Sequence, residues 1–160
     1  MIRPVPRKVL IGASAGTFIA AAAFVTPWEG VYMQPYNDIV GVRTVCIGET
    51  ENVQERRYSV DECKALLAQK LPRYYGEIAQ CWGQDVEDRL TDNMRVAFVS
   101  GAYNFGSGAF CKSSMVRALK EGDRKGACHA LRLYNRAGGR VVKGLDNRRK
   151  AEEALCLRGL

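Results

Sequence analysis

The sequence contains a single histidine, His129, and none of its six cysteines forms a C-x-x-C pair. A zinc site therefore lacks ligands at the usual spacing, and we expect no metal or other cofactor. Widely spaced cysteines in even number favour disulfides in an oxidising compartment, with six buried thiols as the alternative. Six cysteines allow fifteen pairings, and the residues alone do not select one.

Internal repeats are absent, and only an Ala/Gly-rich stretch near the N-terminus is low in complexity. A chain of 160 residues is long enough for one compact domain plus an appended segment. The formal net charge of +7 favours a polyanionic partner: nucleic acid, an anionic membrane or a bacterial wall polymer. The basic residues are scattered over 56–57, 117–125, 132–149 and 158, which argues against nucleic acid.

Charged residues are also missing between Val9 and Trp28, whereas Arg3, Arg7 and Lys8 precede this stretch. A basic start followed by an apolar segment is typical of an export signal, and the segment is long enough to span a bilayer. Its many alanines and glycines bury little apolar surface, so transfer into lipid is only weakly favourable. Three interpretations remain open: a cleaved signal peptide, a stable anchor that packs through Gly12-x-x-x-Gly16, or an uncleaved segment that is later released.

The remaining sequence predicts an α+β fold that is mostly helical, with a small β-rich lobe before a larger helical lobe. Pro27 and the turn at 28–30 are expected to end an N-terminal helix. Short alternations over 31–58, such as 40–45, predict hairpins.

Helical periodicity begins after a capping box at Ser59–Glu62. The expected buried positions of this helix are Cys63, Leu67, Leu71, Tyr74 and Ile78. Further helices are predicted from 91–92 to a break at Gly106 and Gly108, at 114–121, from 123 to about 135 before Gly138-Gly139, and at 145–157.

Glu29 and Asp38 are a candidate acid/base pair beside a predicted hairpin. Cleavage of a glycosidic bond needs one protonated carboxyl group and one ionised carboxylate. Apolar surroundings favour the protonated form of a glutamate, and Trp28, Val31 and Tyr32 are expected to provide them. Taken alone, the pair is equally compatible with two surface carboxylates.

The run from Glu29 to Gly48 resembles the catalytic segment of the phage-type lysozymes, glycoside hydrolase family 24. Seven positions fall in register with the family pattern E-G-x-x-x-x-x-Y-x-D-x-x-G-x-x-T-x-G/C-x-G: Glu29, Gly30, Tyr36, Asp38, Gly41, Thr44 and Gly48. The segments 92–95, 103–110, 137–139, 144–145 and 148–152 are also similar to the family, so the resemblance covers residues 28–157.

The resemblance implies a lysozyme-like fold that hydrolyses the β-1,4 bond between N-acetylmuramic acid and N-acetylglucosamine in peptidoglycan. Glu29 would be the general acid, Asp38 the second carboxylate, and Thr44 would help to hold the attacking water. The family is regarded as inverting, which requires space for that water between the carboxyl groups. The saccharide cleft would be lined by Thr50, Tyr103, Asn104 and Ser113.

The chain departs from the family pattern at Glu49, where histidine is common, and at Tyr134, where tryptophan is frequent. Glu49 adds negative charge near the cleft, which we expect Arg43 and either Arg56 or Arg57 to neutralise. Tyr134 is interpreted as a packing residue. His129 is expected at or near the surface of a helix and is given no catalytic role.

Some members of the family carry a weakly hydrophobic, uncleaved signal-anchor-release segment, which residues 9–26 resemble. The chain is therefore divided into an export segment, 1–27, and a muramidase domain, 28–160. In the inner membrane the segment would hold Glu29 at the bilayer surface in an inactive state. Release into the periplasm would let it fold onto the domain, which is expected to act as a monomer.

The pairing that we expect is Cys46–Cys63, Cys81–Cys111 and Cys128–Cys156, the last joining two C-terminal helices. Family members that use a redox switch have a cysteine inside the membrane segment, and none occurs there in this sequence. These disulfides are therefore expected to be structural.

Two other functions remain possible on the sequence alone. One is a non-catalytic, peptidoglycan-binding periplasmic module of the same fold, against which the Glu29, Asp38 and Thr44 pattern argues. The other is a protein that damages membranes through its N-terminal helix.

Overall fold

A computed structural model describes residues 8–160 and confirms an α+β fold that is mostly helical. The basic residues Arg3 and Arg7 lie outside the described residues. The helices are α1 (Ala15–Glu29), α2 (Val60–Trp82), α3 (Gln84–Glu87), α4 (Asp92–Phe105), α5 (Ser107–Cys111), α6 (Ser114–Lys120), α7 (Arg124–Ala130) and α8 (Lys143–Leu157), with a 3₁₀ turn at Leu131–Leu133. The strands are β1 (Tyr32–Asn37), β2 (Arg43–Cys46), β3 (Arg136–Ala137) and β4 (Arg140–Val141).

Helix α1 begins at a capping box in which Ser14 and Thr17 each bind the other's backbone N–H. The helix ends within the expected exit at residues 27–30, but Pro27 itself does not end it: α1 continues to Glu29, and Gly30 is its C-cap. Proline removes only one N–H so close to the end, and the buried Val25 and Thr26 hold the last turn against the core. The catalytic candidate Glu29 is therefore the last residue of a packed helix.

The apolar N-terminal segment is part of the hydrophobic core. Phe18, Ala21, Ala22 and Val25 are buried, and α1 packs against α2 and α4. The division expected after residue 27 falls inside this helix. Within residues 8–160, no helix combines the length and apolarity needed to span a membrane.

The β-lobe is built on an antiparallel hairpin of β1 and β2, with Tyr36 opposite Thr44 and an irregularity between Tyr32 and Tyr36. Residues 38–42 form the connecting turn, so the strand predicted over 40–45 begins only at Arg43. The alternation of valines there comes from a turn in which Asp38 binds the backbone.

The capping box of α2 is confirmed, since Ser59 accepts from the N–H of Glu62 and Glu62 binds the N–H of Ser59. Its buried face contains Tyr75 instead of the expected Tyr74, which is only half-buried. Gly106 ends α4 as expected, but Gly108 lies inside α5.

The predicted helix 123–135 is shorter than expected. Helix α7 ends at Ala130, and Gly138-Gly139 form the turn between β3 and β4. Tyr134 stacks on Phe105 with ring centroids 4.5 Å apart, as expected for a packing residue. His129 is exposed and binds Glu153.

The three disulfides are the pairs named from the sequence: Cys46–Cys63, Cys81–Cys111 and Cys128–Cys156, with Cα atoms 4.9, 5.4 and 5.6 Å apart. The first joins the β-lobe to α2, the second joins α2 to α5, and the third joins α7 to α8. Each cross-link thus holds together two elements that are separate in sequence.

Candidate active site

Glu29 forms an ion pair through its Oε1 atom with Nη1 of Arg148 on α8. Its side chain is 27% exposed, whereas that of Arg148 is 3% exposed. Glu29 therefore presents a carboxyl group to solvent while a buried cation fixes one of its oxygens. The apolar surroundings expected from Trp28 and Tyr32 are incomplete, because both side chains are exposed.

Arg148 is held by a buried polar cluster. Its Nε donates to Oε1 of Glu152 at 3.1 Å, and its Nη2 donates to the carbonyl oxygen of Ser100 at 3.1 Å. Arg149 forms an ion pair with Glu152, in which its Nη2 donates to Oε1 at 2.9 Å and its Nε lies 2.8 Å from Oε2. Burial raises the pKa of Glu152, and the two guanidinium groups and the Ser100 hydroxyl oppose that rise. The orientation of Arg148, and through it that of Glu29, is thereby fixed.

Asp38 and Thr44 are brought together by the β1–β2 turn. Oδ1 of Asp38 accepts from the N–H groups of Val40, at 2.9 Å, and Val42, at 2.8 Å. The carbonyl oxygen of Val42 accepts from the N–H of Asp38 and from Oγ1 of Thr44, both at 3.0 Å. Gly41 takes a positive φ of 82°, which closes the turn. One residue, Val42, thus orients both candidate side chains.

Tyr103 connects the two lobes beside Glu29. Its hydroxyl donates to the carbonyl oxygen of Ile47 at 2.7 Å, and its ring packs edge-on against Tyr74. Burial raises the pKa of Tyr103, and the neighbouring negative charge of Glu29 adds to the rise. The phenol therefore stays protonated and keeps donating across the lobe junction.

Residues 26–152 match the family model described as phage lysozyme. The chain belongs to the phage lysozyme family. Over 165 residues it is 38% identical to the SAR-endolysin of Enterobacteria phage P21, an alignment that covers 98% of each chain. The protein is accordingly a peptidoglycan-degrading glycoside hydrolase of the lysozyme type.

Solved structures of phage enzymes share the fold. A P22 lysozyme mutant superposes with a TM-score of 0.78 at 24% identity, covering 93% of this chain and 99% of that one. The active form of the P1 phage endolysin Lyz gives 0.71 at 22% identity over 92% of this chain and 95% of its own. The secreted inactive form of Lyz gives only 0.54 at 21% identity over 92% and 96%. The described fold is thus closer to the active form.

The other saccharide-contact candidates occupy different surroundings in the enzyme. Asn104 lines a cleft of about 330 Å³ together with Leu133, Tyr134 and Arg136. Thr50 is exposed next to Glu49, and the Oγ of the buried Ser113 accepts from the N–H of Val116 as the cap of α6. A sugar-binding role for these residues stays a prediction.

The expected neutralisation of Glu49 by arginine is wrong. Arg43 binds Glu55, Arg56 binds Glu62, and Nη2 of Arg57 contacts Sδ of Met33. Glu49 instead accepts from the N–H groups of Thr50, at 2.9 Å, and Glu51, at 2.8 Å. It also lines a cleft of about 610 Å³ between the 49–58 loop and α2.

Sequence reasoning placed Arg148 in a family signature without giving it a role. The spacing of Arg148 and Glu152 by one helical turn was the available signal for an ion pair. Its contact with Glu29 spans 119 residues, and helical periodicity carries no information about such a pairing.

Proposed function

We propose that this enzyme hydrolyses the β-1,4 bond between N-acetylmuramic acid and N-acetylglucosamine, with Glu29 as the general acid. The observation that carries the proposal is the partly exposed Glu29 carboxyl group held by the buried Arg148. Because Arg148 binds Oε1, the Oε2 atom is left to carry the proton to the glycosidic oxygen.

Asp38 and Thr44 complete the proposed chemistry. Asp38 would act as the second carboxylate, which balances positive charge at the sugar or activates water, and Thr44 would help to hold that water. Support comes from the turn that orients both side chains through Val42. The saccharide path is proposed to be lined by Thr50, Tyr103, Asn104 and Ser113. The enzyme is proposed to act on peptidoglycan as a monomer.

The catalytic proposal is tested with Glu29→Gln, which keeps the shape of the side chain but has no acidic proton to donate. We expect loss of turbidity clearing on chloroform-treated Gram-negative cells, with folding and wall binding retained. Glu121→Gln, an exposed site next to α6, is the matched control. Unchanged clearing by Glu29→Gln would contradict the role of Glu29.

Mass spectrometry of the digest should find N-acetylmuramic acid at the new reducing ends; N-acetylglucosamine there would contradict the bond assignment.

We propose further that residues 9–26 first insert in the inner membrane and later leave it uncleaved, so that the active enzyme is periplasmic. The segment lacks charge, is rich in small residues and ends next to Glu29. The name SAR-endolysin of the phage P21 relative and the greater likeness to active Lyz support this mode of activation.

Substitutions on the exposed side of α1 test the release step. Ala20 and Ala23 are exposed, so leucine at both positions raises the hydrophobicity of the segment without disturbing the core. We expect the double leucine variant to stay in the membrane fraction and to lyse cells late, with full activity once purified. Serine at the same two positions is the control and should release at least as readily as the parent. A shortened N-terminus of the periplasmic protein by mass spectrometry would instead establish signal cleavage.

A further inference from the structure

Residues 9–12 lie along α2 and α3 and bind their side chains through main-chain atoms. The N–H of Val9 donates to Oε1 of Gln80 at 3.2 Å. The N–H of Leu10 donates to Oε1 of Gln84 at 2.7 Å, and Nε2 of Gln84 donates back to the Leu10 carbonyl oxygen at 3.1 Å. The N–H of Gly12 donates to Oε1 of Glu87 at 2.9 Å. Each of these hydrogen bonds is made by the backbone of the segment, so its side chains can be apolar, and Val9 packs against the hydrophobic core.

Glu87 is a preformed acceptor in this site. Its carboxylate is fully buried and accepts from Oη of Tyr75 at 2.8 Å, from Nε1 of Trp82 at 3.0 Å and from Nε of Arg95 at 3.2 Å. All three donors lie on α2 and α4, so Glu87 is held by elements outside the N-terminal segment. The N–H of Gly12 thus meets a carboxylate that three other side chains also orient.

Gly12 fits this site because it has no side chain. A Cβ atom at position 12 would lie 2.5 Å from Nη2 and 3.2 Å from Cζ of Arg95. At Gly16, four residues later, a Cβ would lie 3.5 Å from Oγ of Ser14, which is an ordinary contact. In the folded protein Gly12 thus serves close approach to Arg95, and the Gly12-x-x-x-Gly16 pair does not form a helix-packing face.

Helix α1 needs such end contacts because apolar and small residues cover all of its sides. Ile19 is exposed while Phe18 is buried, so hydrophobicity alone distinguishes the packed side of the helix from its open side only weakly. We call Gln80, Gln84 and Glu87 the latch. Polar contacts occur just before and at the ends of α1: residues 9–12 with the latch, Thr17 with Asp92, and Glu29 with Arg148.

We propose that the latch is a docking site for the main chain of residues 9–12, and that its occupation sets the rotation and axial position of α1 and therefore of Glu29. While the segment spans the bilayer, residues 9–12 lie at its end away from the domain that follows it, so these amides cannot reach the latch. The latch then fills only after release, a conclusion that rests on the function proposed above. The partner that it recognises is the chain's own N-terminal segment.

Gly12→Ala and Gly16→Ala form a matched pair of variants. Each adds one methyl group to the export segment, so both change its hydrophobicity equally, but only Gly12→Ala pushes against Arg95. We expect hydrogen exchange of the 9–12 amides in the purified full-length protein to be about tenfold faster in Gly12→Ala and unchanged in Gly16→Ala. Equal exchange in the two variants overturns the docking site. This measurement needs neither activity nor a membrane, so its failure is separate from failure of the proposed function.

Gln84→Ala and Gly12→Val test the coupling to Glu29, and Gln84→Ala leaves the export segment unaltered. For both we expect a several-fold lower kcat with unchanged KM, with the exchange of α2 and α4 amides at the parent level. Faster exchange of residues 9–12 without any fall in kcat would show that the latch does not position Glu29, and would overturn the coupling.

Discussion

Arg148 binds carboxylates on two helices, Glu29 at the end of α1 and Glu152 on its own helix. The side chain is buried, and its planar group also donates to the Ser100 carbonyl oxygen. Two arginines and two glutamates balance in charge within this cluster. At the scale of single residues, the candidate acid is thus anchored in the core and not merely carried on the surface.

Replacing Arg148 by methionine should remove the ion pair that holds Glu29 and the ion pair that stabilises the buried Glu152. We expect a loss of about 3 kcal/mol in the free energy of unfolding, because a buried ion pair is broken from one side, together with loss of most lytic activity. Urea unfolding and turbidity assays measure the two effects. Arg117→Met, at an exposed position on α6, is the control and should change stability by less than about 0.5 kcal/mol. Parent-like activity in Arg148→Met would show that Glu29 does not need its partner.

The lowered pKa of Asp146 makes the stability of the protein depend on pH in the acid range. Hydrogen bonds from Lys150 and Asn135 lower the pKa of Asp146 to about 2. Because the folded state favours the ionised form, its stabilising effect is complete above the ordinary pKa near 3.8 and is lost as the pH falls towards 2. We expect Asp146→Asn to lose less stability than the parent between pH 5 and pH 2.5, measured by urea unfolding. Identical slopes for the two proteins would rule out this contribution.

At the scale of elements, the β1–β2 turn positions two of the three catalytic candidates. Its geometry depends on Gly41, whose φ of 82° is unfavourable for residues with a Cβ, and on the N–H groups of Val40 and Val42 that bind Asp38. A change in the backbone of this turn therefore moves a candidate carboxylate without touching it.

Gly41→Ala is expected to destabilise the protein by about 1 kcal/mol. Lytic activity should fall by more than the small rise in the unfolded fraction would account for. No atom outside the turn crowds position 41, so the effect should come from the backbone alone. The control is Gly108→Ala in α5, where there is also open space and φ is ordinary. Similar activities of the two variants would mean that the turn does not orient Asp38.

Element boundaries were predicted well where a local signal fixes them. The capping box at Ser59 and the stop at Gly106 are local side-chain and backbone preferences, and both are confirmed. Pro27 was misleading because tertiary packing of Val25 outweighs one lost hydrogen bond at a helix end. The strand predicted at 40–42 failed because Asp38 recruits those N–H groups for a turn.

At the scale of the whole molecule, the Cys46–Cys63 disulfide joins the β-lobe to the helical lobe through α2. A single residue, Val45, separates Cys46 from Thr44, so this cross-link also limits how far the hairpin moves from the helical lobe. The Tyr103 hydroxyl on the Ile47 carbonyl oxygen holds the same junction without a covalent bond.

A Cys46→Ala/Cys63→Ala variant should lose about 3 kcal/mol of unfolding free energy, the chain-entropy value for a loop of this length. We also expect a lower kcat, since the hairpin is freer. The matched control is Cys128→Ala/Cys156→Ala. It removes the disulfide between α7 and α8, away from the hairpin, and should lose similar stability with little change in kcat. Equal kcat losses in the two variants would contradict a role for the first disulfide in holding the lobes.

The candidate site could be predicted only as far as it is contiguous in sequence. Glu29, Asp38 and Thr44 lie within sixteen residues, and they belong to the run of seven matched positions on which the family resemblance chiefly rests. Arg148 and the latch residues are contributed from distant positions, 119 residues from Glu29 and 71 to 75 residues from their segment. Such pairings depend on the three-dimensional path of the chain, which local periodicity does not encode.

Because α1 is packed on one side and open on the other, packing restricts the residues on its buried side and not those on its exposed side. Ala21 and Ala22 are almost fully enclosed and leave no space for growth, whereas Ile19 is 64% exposed. Under the release proposed above, substitutions on the open side would change how long the helix stays in lipid and would leave the catalyst untouched. The moment of host lysis would then be tunable by single changes at a few outward positions.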